Sequence, residues 1–131
     1  MKKSKRQIGK VAKTVIEKLG LHNIFENQPI FLGEQNESHM KKRHPYEYDI
    51  YFGDIELIIS EPDYVGSNPR DKSIMYVKLY KIRGDYIRVG VKISAQGTLY
   101  ARTLHSLSTC NAEKYIKSGT LVSISYDKKH K

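Results

Sequence analysis

The sequence predicts an α+β domain with helices packed on one face of a small antiparallel sheet. Three observations carry this. Residues 5–19 set apolar side chains at helical spacing, the apolar period changes to two from residue 73, and short turns separate the alternating segments. The chain has 131 residues, enough for about one domain. Neither a repeat nor a linker interrupts it, so residues 1–131 are expected to fold together, with 1–4 and 127–131 frayed.

Ile8, Val11, Val15 and Leu19, joined by Ala12 and Ile16, form one apolar face, while Lys10, Lys13 and Lys18 look outward. Gly20 is placed as the helix stop. Pro29-Ile30-Phe31-Leu32 reads as a strand or extended segment ended by Gly33. A short helix is expected within Glu34–Arg43, started by Asn36 or Ser38 and limited by Pro45, because the residue before a proline avoids helical angles. Residues 46–60 read as helix in preference to strand, since Tyr51, Phe52, Ile55, Ile58 and Ile59 share a helical face and strict alternation is absent. Residues 61–69 are dense in turn formers and read as a loop.

The meander follows. Met75, Val77 and Leu79 alternate with Tyr76, Lys78 and Tyr80; Ile87, Val89, Val91 and Ile93 with Arg88, Gly90 and Lys92; Leu99, Ala101 and Thr103 with Tyr100, Arg102 and Leu104. Turns at Arg83-Gly84-Asp85 and Ala95-Gln96-Gly97 make the three strands antiparallel neighbours. Thr109 or Asn111 caps a short helix through Tyr115 and Ile116, stopped by Gly119, and residues 121–124 form a last strand.

Charge points to the partner. There are 23 Lys and Arg against 14 Asp and Glu, a formal net charge of +9, which favours a polyanion. Cys110 is the lone cysteine, which excludes an internal disulfide and a thiolate metal cluster and fits a cytoplasmic setting. No apolar run approaches the ~20 residues of a membrane span, and the N-terminal residues lack the apolar stretch of a secretion signal. Neither a cofactor nor a metal is expected.

Two features give the charge a chemistry. Ser38-His39-Met40-Lys41-Lys42-Arg43-His44 packs two imidazoles and three permanent cations into seven residues. Alternation also puts Lys78, Arg88, Lys92 and Arg102 on the polar side of the meander, together with Tyr76, Tyr80, Tyr86 and Tyr100. Cations there suit phosphates, and tyrosines such as Tyr76 and Tyr100 suit bases or riboses. Arg102 can clamp a phosphate bidentately, and either Thr103 or Ser106 can offer a hydroxyl; alternation groups Ser106 with Arg102 and sends Thr103 and His105 to the other side. Cleavage of RNA without a metal needs a base for the ribose 2′-hydroxyl, an acid for the leaving 5′-oxygen and cations against the phosphorane, and histidine suits both proton-transfer roles. On a helix His39 shares a face with Lys42 and Arg43, whereas His44 lies five positions on and need not join it.

The stretch from His39 to Ser106 resembles the phage-type nucleases grouped with barnase, EndoU, colicin tRNases and RelE-like toxins, the BECR fold. The resemblance rests on His39…Lys42-Arg43-His44, Glu61-Pro62-Asp63-Tyr64-Val65-Gly66, Ile74-Met75-Tyr76-Val77-Lys78, residues 86–93 and Leu99-Tyr100-Ala101-Arg102-Thr103-Leu104. It implies a metal-independent ribonuclease site on the sheet. His44, with His39 as a second candidate, would be catalytic; Lys78 and Arg102 would bind or neutralise phosphate; Thr103 would contribute a hydroxyl ahead of Ser106. The leading expectation is therefore an endoribonuclease that cuts by 2′-hydroxyl attack, with RNA as partner and a tRNA as a target by family analogy. The resemblance also implies a phage or toxin-like setting. The alternatives are a catalytically inactive nucleic-acid-binding domain on the same cations and a protein-interaction module docking to an acidic partner such as an immunity or inhibitor protein.

Overall fold

The computed structural model describes residues 4–124. Within these residues seven strands form one sheet: β1 (Lys5–Lys10), β2 (Pro29–Gly33), β3 (Tyr64–Ser67), β4 (Ile74–Tyr80), β5 (Asp85–Ile93), β6 (Leu99–Leu107) and β7 (Leu121–Ser123). Among the described residues five α-helices accompany them: α1 (Lys13–Leu19), α2 (Glu34–Arg43), α3 (Pro45–Tyr51), α4 (Ile55–Ser60) and α5 (Thr109–Ser118). The spatial order is β1-β2-β6-β5-β4-β3-β7, antiparallel except for the β2–β6 pair. This is the expected α+β class.

Helices α1 to α4 cover one face. Val15, Met40, Tyr51, Ile55, Ile58 and Ile59 pack there against Ile30, Tyr76, Ile87, Val89, Val91, Leu99, Ala101 and Leu104 of the sheet. Each fully buried isoleucine or valine in that layer is worth roughly 1.5–3 kcal/mol relative to an exposed one. Helix α5 packs on the opposite face, where Ala112 joins Met75, Val77, Leu107 and Leu121. It covers only part of that face.

Several expectations change. Residues 5–10 are a strand, and the helix begins at Lys13. Ile8 is the extra residue of a bulge between Gln7 and Gly9, so it enters the core from β1 and mimics a helical step to Val11. Residues 64–67, read as loop, are β3; its Gly66 lies where a Cβ would meet the Thr120 carbonyl. Residues 46–60 are helical but broken by a 3₁₀ turn at Phe52–Asp54. Helix α2 starts at Glu34, with the Asn36 side chain accepting the Gly33 N–H at 3.0 Å, and α5 is capped by Ser108, which accepts from the Asn111 N–H at 3.0 Å. Of the ends expected to fray, Ser4 donates its hydroxyl to Glu34 at 2.6 Å; residues 1–3 and 127–131 lie outside the described residues.

Candidate active site

On the face shared with α5, the β5–β6 ladder changes character along its length. The facing pairs run Tyr86–Leu107, Arg88–His105, Gly90–Thr103 and Lys92–Tyr100. The first pair lies in the apolar cluster under α5, and the last opens into a cleft. A bulge makes the change: Gly90 faces Thr103 and Val91 faces Ala101, leaving Arg102 as the extra residue. Bulges re-aim side chains, and here Arg102 and Thr103 both line the cleft. Gly90 makes room for Thr103, because a Cβ at Gly90 would come 2.6 Å from the Thr103 hydroxyl oxygen.

Helix α2 supplies the other wall. Pro45 forces His44 out of helical angles, to φ −136° and ψ 66°, and then opens α3 as its first residue. The His44 N–H still donates to the Met40 carbonyl at 3.0 Å, and its own carbonyl accepts from Tyr48 at 2.9 Å. The backbone of His44 is thus held by both helices. The cleft between α2 and β6 has a volume of about 840 Å³ and is lined by His39, Lys42, Arg43 and His44 from α2 and its end, and by Lys92, Tyr100, Arg102 and Thr103 from the sheet. Tyr100 is backed by Phe31, with ring centroids 6.5 Å apart. A smaller hollow of about 130 Å³ adjoins it, sharing Asp71, Lys92, Arg102 and Thr103 and floored by Arg88.

His44 does not stand alone. Its ring stacks on that of His105, with centroids 4.8 Å apart and planes 16° from parallel. Arg88 reaches Nε2 of His105 at 2.6 Å. A guanidinium only donates, so this nitrogen is an acceptor and the ring is neutral. Burial, then the Arg88 charge, then His44 push the His105 pKa down to about 4 from 6.5, with Glu47 opposing. The unfolded ring gains its proton as pH falls through 6.5, the folded ring only near 4. Stability is therefore full above pH 6.5 and declines as pH falls toward 4. The shift amounts to at most ~3 kcal/mol, on the order of 2 after discounting the partly exposed ring. Urea titrations at pH 7 and 4.5 should show wild type losing more stability than His105→Gln by about that amount; equal losses would contradict it.

Comparison with protein-family models adds the decisive observation. The model described as phage-Barnase-EndoU-ColicinE5/D-RelE like nuclease3 matches residues 6–118. The chain belongs to this nuclease-like family. No curated protein and no solved structure matches it.

Within this BECR-type nuclease domain, the expected site residues divide. His39, Lys42, Arg43, His44, Lys92, Tyr100, Arg102 and Thr103 meet in the cleft. Lys78 does not. It pairs with Ile87 on the helix-covered face, and its ammonium donates to the Glu61 carbonyl at 2.9 Å. Ser106, also opposite Ile87, donates to Glu47 at 2.9 Å instead of facing the cleft. Tyr76 is 1% exposed and packed in the core, so no base can stack on it. Arg88 is engaged by His105 and by Met75 Sδ at 3.6 Å, below the cleft. The single basic sheet face is thus corrected: β4 is buried on both sides, so its Tyr–apolar alternation does not report inside and outside.

Two lining or supporting groups were not anticipated. His105 was seen only as part of Arg102-Thr103-Leu104-His105-Ser106, and the bulge reverses the side on which simple alternation places it relative to Arg102. Asp71, in the cleft wall, is held below the usual carboxylate range chiefly by the Ser73 N–H, with Lys92 adding to it. Among the described residues, no group of three or more His, Cys, Asp or Glu is placed to hold a metal, and no helix is long and apolar enough to cross a membrane.

Proposed function

We propose that this nuclease-family domain is an endoribonuclease that cuts RNA by 2′-hydroxyl attack in the α2–β6 cleft. One observation carries the reading: two histidines and five cations, Lys5 among them, drawn from segments far apart in sequence, line one open cleft. One imidazole takes the 2′-hydroxyl proton as that oxygen bonds to phosphorus. The other gives a proton to the 5′-oxygen as its bond to phosphorus breaks. The products are a 2′,3′-cyclic phosphate and a 5′-hydroxyl. His44 and His39 are the two proton carriers. Arg43, Lys42, Lys92 and Arg102 offset the charge that builds on the phosphorane, and the Thr103 hydroxyl donates to a non-bridging oxygen. Tyr100 offers its ring to a base. None of these roles requires a bound metal or cofactor. The substrate is RNA, with tRNA the first class to try, and an acidic inhibitor protein would complement the cleft's charge.

Folded protein incubated with mixed RNA in EDTA is expected to produce strand scission, and Lys78→Ala is expected to leave it intact, because Lys78 lies outside the cleft. Failure to cut any of many RNAs, combined with salt-sensitive binding unaffected by His44→Ala, would identify a non-catalytic nucleic-acid-binding domain instead.

A further inference from the structure

We infer that His105, fixed by Arg88, is a positioning residue that orients the His44 ring by stacking and stabilises its protonated form, a role that rests on the cleavage reading above. An imidazole is usually oriented by a hydrogen bond to one of its nitrogens, which removes that nitrogen from proton exchange. His44 is oriented differently. Its face lies on His105 at 4.8 Å and 16°, and a contact through the ring face takes up neither nitrogen. The main chain of His44 is clamped between Met40 and Tyr48, so the stack fixes what the backbone does not, the plane of the ring.

The plate must be neutral to serve. Two stacked imidazolium rings would repel, whereas a cation over a neutral aromatic face is attracted. The groups facing His105 are Arg88 from β5, His44 from the α2–α3 junction and Glu47 from α3. Arg88 occupies the Nε2 acceptor at 2.6 Å and leaves it no room for a proton. When His44 carries the proton in the reaction, its positive charge lies over a ring kept neutral. Arg88 is itself anchored on Met75, so the column Met75–Arg88–His105–His44 runs from the α5-covered core to the cleft wall. It links the apolar cluster under α5 to the cleft wall.

Three variants separate the parts. His105→Gln keeps an acceptor for Arg88 but removes the plate; His105→Phe keeps a plate; Arg88→Met keeps the plate but removes the charge and the contact that oppose a proton at its Nε2. With RNA in excess, His105→Gln is expected to lower kcat by roughly 10–100-fold with KM little changed. His105→Phe is expected to recover most of that loss. Arg88→Met is expected to move the acid limb of the pH–rate profile to higher pH. Equal loss in the Gln and Phe variants, or a KM effect alone, would overturn the proposal. The His44 ring protons, followed by NMR, give a readout independent of turnover: they should shift downfield in His105→Gln as the ring current of the plate is lost, and stay near wild type in His105→Phe. Unchanged His44 signals in a folded Gln variant would also overturn the stack. If the NMR signature is present and wild type cuts no RNA, the cleavage reading fails while the stacked column stands.

Discussion

Replacing His44 by alanine is expected to slow RNA cleavage by ~10²–10⁴-fold, the usual worth of a placed acid or base. RNA affinity should change little. On the proposed function, affinity comes from Lys42, Arg43, Lys92 and Arg102, which line the cleft with His44 and keep their charges when its ring is removed. The substitution leaves the helix junction intact, because that junction is held by main-chain bonds to Met40 and Tyr48 and by Pro45. Single-turnover cleavage and filter binding on the same RNA separate the two effects. A parallel fall in both would make His44 a binding residue, and no fall in rate would remove it from the chemistry. Arg102→Ala is the counterpart: it should weaken binding and flatten the salt dependence, by ~0.7 in log–log slope if one single-strand phosphate contact is lost.

The largest expected effect on stability is that of Gly66→Ala. Gly66 sits in β3 between β4 and β7, facing Met75 on one side and Leu121 on the other. An added methyl would run into the Thr120 carbonyl and press on Leu121 at 3.0 Å and Met75 at 3.1 Å. The carbonyl belongs to the backbone and cannot rotate away as a side chain would. Either β7 parts from β3 or the sheet bends there, at a cost of about 3 kcal/mol. For a domain whose whole stability is roughly 5–15 kcal/mol, that is a large share. Gly53→Ala is the control, since a Cβ there meets nothing within 4 Å. Urea midpoints should fall sharply for Gly66→Ala and barely move for Gly53→Ala. A loss below ~1 kcal/mol for Gly66→Ala would show that β3 and β7 adapt freely.

What the chain disclosed beforehand follows from where its signals are local. Alternating Val and Ile in β5 and the Gly84 and Gly97 turns specify the meander without help, since strand period and positive φ are properties of adjacent residues. Pro45 likewise announces the end of α2. β1 was hidden because a bulge at Ile8 made strand residues fall at helical spacing. β3 was hidden because its glycine serves a close approach to residue 120, more than fifty positions away. The candidate site was half legible. The His39–His44 segment and Arg102-Thr103 stand out by composition, and both reach the cleft. Lys78, Ser106 and Tyr76 were misplaced because tyrosine counted as polar on a strand buried on both faces, and because the Arg102 bulge breaks parity in β6. The contact of His44 with His105 has no local signature. It arises because β2 pairs in parallel with β6 and delivers α2 along the free edge of that strand.

The most direct measurement is the chemistry of the ends. RNA cut by wild-type protein in EDTA should carry 2′,3′-cyclic phosphate on the upstream fragment and a 5′-hydroxyl on the downstream one. An RNA with a single 2′-deoxy sugar at the cleaved position should resist cutting there. Fragments ending in 3′-hydroxyl and 5′-phosphate, or undiminished cutting at the deoxy position, would contradict 2′-hydroxyl attack and remove the proton-transfer role assigned to the α2–β6 cleft.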